Sequence, residues 1–332
     1  MKNNSMKAAM FSKYGPPDVY RLTRIKKPVP KQNEVLIKVH ASTATSAEKL
    51  MRTGKPYWGR LILGLVKPKK KYRIPGLEIA GEIIEKGSKV TKFKTGDKIF
   101  GFCGFNPGAC AEYKCLSENA SIALKPKNLN WSESAASVDG ATTALFFLKE
   151  KANIQAGQKI LVIGASGSIG TFAIQLSKYF KAEVTGLCSS KNVELVKELG
   201  ANHIIDYTCE DFTKGTNKYD IIFDTVGKSS YIKSKKVLNE NGIYLPTAGL
   251  LNNLLMLWTT VLKKLSLSAS GKRVICGMSV NKKEALELIK QLSEKEIVKP
   301  VIDKIFPLSG IIDAHKYVAQ GHKVGNVAIS IC

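Results

Sequence analysis

Residues 34–40 (EVLIKVH) alternate apolar and charged positions, the period of a half-buried strand. Prolines at 16, 17, 28 and 30 punctuate the chain before it. Residues 7–41 as a whole read as strands. Glycine-bounded runs at 78–85, 98–102 and 111–116 continue the pattern, so the first 130 residues are predicted to be mainly β. The period changes near Trp131. Residues 132–136 (SESAA) suit a helix start, with serine as cap and glutamate near the positive end of the helix dipole. A short apolar strand follows at 159–163, then Ile169, Phe172, Ala173, Leu176 and Phe180 at helical spacing. A strand at 183–187, a helix at 192–199 and strands at 203–206, 220–224, 242–245 and 273–276 complete the alternation. Such alternation predicts a parallel, doubly wound sheet. A helix at 282–295, a strand at 301–306, a helix at 308–320 and a strand at 326–331 end the chain. This tail is expected to return to the first domain. The predicted division is 1–130 and 298–332 for the β-rich domain, with 131–297 inserted as the doubly wound one.

The strongest local signal lies at 159–170 (KILVIGASGSIG), which runs strand, glycine-rich turn, helix. Its core is a form of G-x-G-x-x-G with Ala165 in the first place. Gly167 would let the backbone approach a pyrophosphate and Gly170 would let helix and strand pack closely. The amides at the helix N-terminus would bind the phosphate charge. Gly164, Ser166, Gly167, Ser168 and Ile169 are therefore the candidate phosphate residues. There is no G-x-x-x-x-G-K-[ST] phosphate loop. Tyr231-x-x-x-Lys235 has the catalytic spacing of short-chain dehydrogenases, but it follows a mid-chain glycine loop too closely, and Ser168 stands where that family needs glycine. An NAD site usually ends its second strand on a carboxylate that accepts from the ribose hydroxyls. Here Ser189, Ser190 and Lys191 stand there, and no carboxylate lies between Val184 and Val193. That favours NADPH, with Tyr207 able to add a hydroxyl to the 2′-phosphate.

Composition adds three constraints. The formal charge is +24, spread along the chain apart from one dense run at 67–73 (KPKKKYR). Such a charge attracts phosphate-bearing ligands or anionic surfaces, although a generally lysine-rich composition needs no special function. The seven cysteines include no C-x-x-C pair, which fits a reducing compartment and small core residues. No run of about 18 apolar residues or apolar leader is present, so a cytoplasmic location is expected.

Beyond the phosphate loop, the chain carries Met6-Lys7-Ala8-Ala9 with Tyr14-Gly15, the 34–41 strand, and Gly76-Leu77-Glu78-Ile79-Ala80-Gly81-Glu82. There follow Gly96-Asp97, 108–113 (GACAEY), Leu199-Gly200-Ala201, Ile205-Asp206-Tyr207, Asp224-Thr225-Val226-Gly227 and Gly325-Asn326-Val327. With these motifs in order, the chain resembles the medium-chain dehydrogenase/reductase superfamily nearly end to end. Within it, the chain is most similar to the zinc-free quinone oxidoreductase-like group. The resemblance implies an α/β fold: a Rossmann doubly wound parallel sheet inserted in a β-rich GroES-like catalytic domain. It also implies hydride transfer from NADPH to a quinone or conjugated carbonyl, and a homodimer. Zinc-dependent members keep an early cysteine and a Gly-His-Glu triplet. Here Leu77 takes the histidine position, residues 42–48 contain no cysteine, and the four-cysteine structural lobe is missing. Zinc needs about four N, S or O ligands, so no metal is expected.

By the same resemblance Thr45 and Tyr57 are the catalytic candidates. Thr45 stands where relatives often place an asparagine near the nicotinamide, and Tyr57 lies in a loop expected to overhang the cleft. Thr143 matches a threonine at the nicotinamide end. Val226 and Gly227 follow the fourth strand, Gly249 the fifth, and Cys276 the sixth. Asn326 matches a C-terminal position reaching the nicotinamide. The tyrosine of the family's GAYAEY motif is replaced by Cys110. Segments 57–66 and 250–267 depart from a minimal scaffold and set apolar residues beside basic ones, as an interfacial segment does. A small hydrophobic substrate would also suit them, as would peripheral contact with an anionic membrane. No specific nucleic acid is expected. The alternatives left open are a metal-free alcohol or aldehyde dehydrogenase and a non-catalytic nucleotide-binding protein that contacts lipid or RNA through its basic surface.

Overall fold

The computed structural model describes residues 4–247 and 271–331. Gly249 and the 250–267 segment lie outside them. The chain forms two compact units. The first comprises residues 1–139, 280–296 and 300–332; the second comprises 140–279 and 297–299. Residues 131–139 and 280–296, expected in the doubly wound domain, cluster with the β-rich unit.

In the first unit, β1 (Ser5–Met10) pairs antiparallel with β2 (Arg21–Lys26). A larger sheet is built on β3 (Glu34–Ala44), which pairs antiparallel with β4 (Glu78–Lys86) and with β6 (Tyr113–Ser117). β5 (Lys98–Phe102) joins β4, and β7 (Ser121–Leu124) joins β5. The C-terminal β15 (Asn326–Ser330) pairs with the Ala41–Ala44 end of β3, while β6 takes Glu34–Lys38, and β14 (Ile302–Pro307) pairs with β15. The inward positions of β3 and β4, including Val35, Ile37, Val39, Ile79 and Ile83, are fully buried in one core. Each such aliphatic side chain contributes about 1.5–3 kcal/mol. Helix α1 (Ser46–Thr53) follows β3, and α2 is a single turn at Arg60–Leu63.

The helix start near Trp131 is α3 (Trp131–Ala136), but its cap is Asn130 rather than Ser132. Asn130 Oδ1 accepts from Glu133 N–H (3.0 Å), and Glu133 reaches back to Asn130 N–H (2.8 Å), a reciprocal capping box. The next two helices are α4 (Asp139–Leu145) and, in the doubly wound unit, α5 (Ser168–Tyr179). Helices α6 (Val193–Glu198) and α7 (Tyr231–Ser234) follow there. The helix of segment 280–296 is α8 (Lys283–Glu294). It packs on β7, and its Leu286 enters the Phe100–Ala135 core. The buried Lys282 at its start pairs with Asp139 (2.8 Å). Helix α9 (Ile311–Ala319) connects β14 and β15 and buries Ile311, Ala314 and Val318.

The second unit has one six-stranded parallel sheet in the order β10-β9-β8-β11-β12-β13. The strands are β8 (Lys159–Ile163), β9 (Glu183–Cys188), β10 (His203–Asp206), β11 (Tyr219–Asp224), β12 (Leu238–Pro246) and β13 (Arg273–Val274). The strand order reverses between β8 and β11, the place where open sheets of this kind bind ligands beyond their carboxyl ends. The last strand is shorter than the predicted 273–276, so Cys276 lies beyond its end, against the core around Tyr231 and Tyr244. Among the described residues, no helix is long and apolar enough to cross a membrane.

Candidate functional site

In the second unit, the turn after β8 is held by backbone hydrogen bonds. Gly164 N–H and Ala165 N–H both donate to Leu187 O (3.2 and 3.0 Å), and Gly167 N–H donates to Gly164 O (3.0 Å). Gly164 has φ +79°, a conformation that side-chain-bearing residues seldom adopt. The two later glycines have different reasons. A Cβ on Gly170 would lie 2.1 Å from Gly164 O and 2.9 Å from the Ala165 backbone, so Gly170 lets the first turn of α5 close on its own loop. A Cβ on Gly167 would meet only Gly164 O, at 3.3 Å. Its outer side faces no other protein atom at contact distance. An anion can therefore approach the backbone there and meet the α5 amides, with Ser168 and Ile169 half-buried in the first turn. The loop geometry fits a dinucleotide pyrophosphate.

The neighbouring strand ends complete this face. Asn192 Nδ2 donates to Ser166 Oγ (2.9 Å) and Ser189 Oγ (3.3 Å), tying the phosphate loop to the end of β9. Asp206 pairs with Cys188 across β10 and β9, which brings Tyr207 and Thr208 to Ser190. Ser190 and Thr208 hydroxyls lie 2.8 Å apart. Asp206 accepts from Thr208 N–H (2.9 Å) and Oγ1 (2.7 Å). The Ser190 and Thr208 hydroxyls hold the Asp206 carboxyl down at about 2. A carboxylate therefore does stand beside the Ser189–Lys191 turn. It comes from the next strand, where inspection of β9 alone does not find it. Lys191 is exposed, and Tyr207 is mostly so.

Asp224, fully buried at the end of β11, organises the following loop. Its Oδ1 accepts from Val226 and Gly227 N–H (3.2 and 2.8 Å), and its Oδ2 from Ser229 N–H and Tyr244 OH (both 2.9 Å). Val226 and Gly227 are thereby fixed at the strand-order reversal. Asp224 is a positioning residue that the motif names but whose role only the hydrogen bonds reveal. Thr143 lies on α4, whose Gly140 abuts Ser168.

In the first unit, Thr45 precedes α1 at the end of β3. Val327 of β15 pairs with Ala44, which sets Asn326 and Thr45, the next residue on each strand, at one sheet edge. Asn326 is buried, and its Nδ2 donates to Val301 O (3.2 Å). The Thr45 hydroxyl oxygen is enclosed and faces Glu48 across the capping box that starts α1. Glu48 holds this corner. Its Oε2 accepts from Thr45 N–H (2.9 Å) and its Oε1 from Gly76 N–H (2.6 Å). Burial pushes the Glu48 carboxyl up to about 7. Glu78 is also buried; it accepts from Thr43 Oγ1 and from Asp139 N–H (2.6 Å). Burial and the Asp139 charge push its carboxyl well up. Lys323 lies near enough to feel Glu78, and burial brings its ammonium down to about 8. Glu78 falls within the Gly76–Glu82 motif, whereas Glu48 and Lys323 carry no local signal of a site, because what surrounds them is set by distant strands. Tyr57 stands 65% exposed, with the Arg60 guanidinium 4.9 Å from its ring centre. Leu77, at the histidine position, is 8% exposed. Cys110 is fully buried, with its thiol pushed up by burial.

His315 of α9 completes the corner. Its Nε2 lies 3.9 Å from Glu48 Oε2 and makes no hydrogen bond. Burial and Arg52 bring its pKa down to about 3, so at neutral pH it is uncharged. The unfolded chain takes up this proton near 6.5, so the stability His315 confers is present above that pH and is lost as pH falls toward 3. Replacing His315 with Gln is expected to remove about 1.4 kcal/mol per pH unit of acid sensitivity between pH 6 and 4. Urea melts at several pH values measure this; parallel curves for parent and variant would contradict it.

The Alcohol dehydrogenase GroES-like domain family matches residues 31–165, and the Zinc-binding dehydrogenase family matches 199–329. The 2-methylene-furan-3-one reductase of Solanum lycopersicum is 32% identical over 338 residues, covering 98% of this chain and 79% of that protein. The chloroplastic NADPH-dependent alkenal/one oxidoreductase of Arabidopsis thaliana is 30% identical over 339 residues, again 98% and 79%. The solved quinone oxidoreductase from Coxiella burnetii superposes with a TM-score of 0.86 at 29% identity, over 99% of this chain and 100% of that one.

Proposed function

Because the chain belongs to the medium-chain dehydrogenase/reductase family, in its quinone oxidoreductase-like group of NAD(P)H oxidoreductases, we propose that it reduces a quinone or an α,β-unsaturated carbonyl with NADPH and without zinc. The relatives that align with almost the whole chain are named for reductions of this kind. The observation that carries zinc independence is Leu77, an aliphatic side chain where zinc-dependent members have a histidine ligand. NADPH, when bound, supplies the hydride from its nicotinamide; the protein orients it and excludes water. The α5 amides and the open side of Gly167 take the pyrophosphate, while Ser189, Ser190, Lys191 and Tyr207 take the 2′-phosphate. Negative charge develops on the substrate oxygen during hydride transfer. The Thr45 hydroxyl, held beside Glu48 at the edge of β3, is the donor that stabilises it. Asn326 supports the nicotinamide end, and Tyr57 borders the substrate.

The test is the rate of NADPH loss against 1,4-quinones, 2-alkenals and saturated aldehydes, with and without a chelator. Turnover of the first two classes, unchanged by chelation, is expected. Turnover of saturated aldehydes alone, or loss of activity on chelation, would overturn the reading. Lys191→Glu sets a second anion beside Asp206. It should raise KM for NADPH about 10–100-fold, since hydrogen bonds to charged groups are worth about 1.5–3 kcal/mol. KM for NADH should barely change; an equal loss for both cofactors would remove Lys191 from the phosphate site.

A further inference from the structure

The first unit carries an apolar ridge that hydride transfer does not require. Trp58, Leu61, Ile62, Leu65 and Val66 are 59–87% exposed. Single exposed apolar side chains are ordinary, but five within nine residues concentrate exposed apolar surface in one short segment, as an interaction segment does. The backbone beneath them is firmly held. Tyr14 OH donates to Gly64 O (2.6 Å), Lys69 N–H to Leu63 O (2.8 Å), and Arg73 Nε to Pro68 O (3.1 Å). The Arg60 guanidinium stacks over Tyr14 at 4.5 Å and donates to Gly54 O (3.2 Å), while Tyr72 is buried as an anchor. The segment is thus built to hold its apolar side chains outward.

The charge around the ridge says what it faces. Between Glu48 and Glu78 there are nine lysines and arginines and no carboxylate. Beside the ridge lies an open depression of about 740 Å³ lined by Tyr14, Lys49, Lys55 and Arg60 among others, able to take a phosphate group. A second copy of the chain would bring like charge against like. A nucleic acid would satisfy the lysines but leave the five apolar side chains in water. A bilayer with anionic headgroups satisfies both. We propose that residues 57–71 dock this protein on an anionic lipid surface, with Trp58, Leu61, Ile62, Leu65 and Val66 at the acyl boundary and the lysines among the headgroups. The docking claim is independent of the substrate assignment, because it is read out without turnover.

The experiment sediments the purified full chain with phosphatidylcholine vesicles and with vesicles containing phosphatidylglycerol, across a salt series. Binding to the anionic vesicles should be at least about tenfold tighter and should weaken with salt. Both Lys67→Glu/Lys69→Glu/Lys70→Glu and Leu61→Ser/Val66→Ser should reduce it roughly tenfold or more, with unfolding temperatures close to that of the parent. Tryptophan emission should shift to the blue on the anionic vesicles, and Trp58→Phe should remove that shift. Failure to bind anionic vesicles, or undiminished binding by either multiple variant, would overturn the proposal. So would binding to RNA, but not to vesicles, that survives Leu61→Ser/Val66→Ser.

Discussion

Replacing Gly167 with alanine is expected to weaken NADPH binding about 10–100-fold while leaving folding stability within about 0.5 kcal/mol of the parent. Gly167 has φ −83° and ψ 176°, values any residue adopts, and its added methyl would meet only Gly164 O at 3.3 Å. The protein admits that methyl with a shift of Gly164 O by a few tenths of an ångström, but a diphosphate lying on the same backbone leaves it no space. Each charge-assisted hydrogen bond lost there is worth about 1.5–3 kcal/mol. Gly170→Ala is the control. Its methyl would stand 2.1 Å from Gly164 O, so it should cost about 1–3 kcal/mol of stability as well as cofactor affinity. A fluorescence titration with NADPH and a thermal melt of each variant separate the two. If Gly167→Ala bound NADPH as the parent does, the pyrophosphate would not lie on this loop.

Glu48→Ala is expected to destabilise the first unit by about 2–4 kcal/mol and to lower kcat at least tenfold. It strands two amides, those of Thr45 and Gly76, and frees the residue proposed to polarise the substrate. Glu48→Gln separates hydrogen bonding from charge. The folded carboxyl titrates at about 7 and the unfolded one near 4.5. Between those values the folded chain holds the proton more tightly, so the stability contribution of Glu48 is greatest in acid. It falls as pH rises from 4.5 to 7, by about 3 kcal/mol in all. Glu48→Gln should flatten that fall, losing stability relative to the parent in acid and approaching or passing it above pH 7. Chemical denaturation across pH 5–8 reads this directly. A parent curve that rises through this range while the Gln variant stays parallel to it would show that Glu48 is ionised throughout. His315 slopes the other way below 6.5, so the double variant Glu48→Gln/His315→Gln should be flatter than either single one.

The phosphate loop and the strands around it were legible because their signals are local. Residues 160–163 show no alternation and are all apolar, as a strand covered on both faces must be, and the glycines that follow are needed by a turn of a few residues. Where the reading slipped, a partner it had not paired decided, three residues away in the first case and distant in the others. The helix near Trp131 begins two residues earlier than a Ser132 cap suggests, because Asn130 and Glu133 cap each other. Residues 280–296 join the β-rich unit because Leu286 fills its core and Lys282 meets Asp139. No carboxylate lies between Val184 and Val193, yet Asp206 arrives beside Ser190 from β10.

Sequence alone determined the period of each element, the glycine turn before α5, the replacement of a metal-ligating histidine by Leu77 and the excess of positive charge. All can be read from residue identity and short-range order, without knowing which strands become neighbours. Tertiary structure alone decided that Glu48 would be buried with Thr45, Gly76 and His315, and that five apolar side chains of segment 57–66 would face outward. Burial and hydrogen bonding between residues tens or hundreds of positions apart depend on which strands become neighbours. That pairing fixes the local dielectric, and with it which carboxyl keeps its proton.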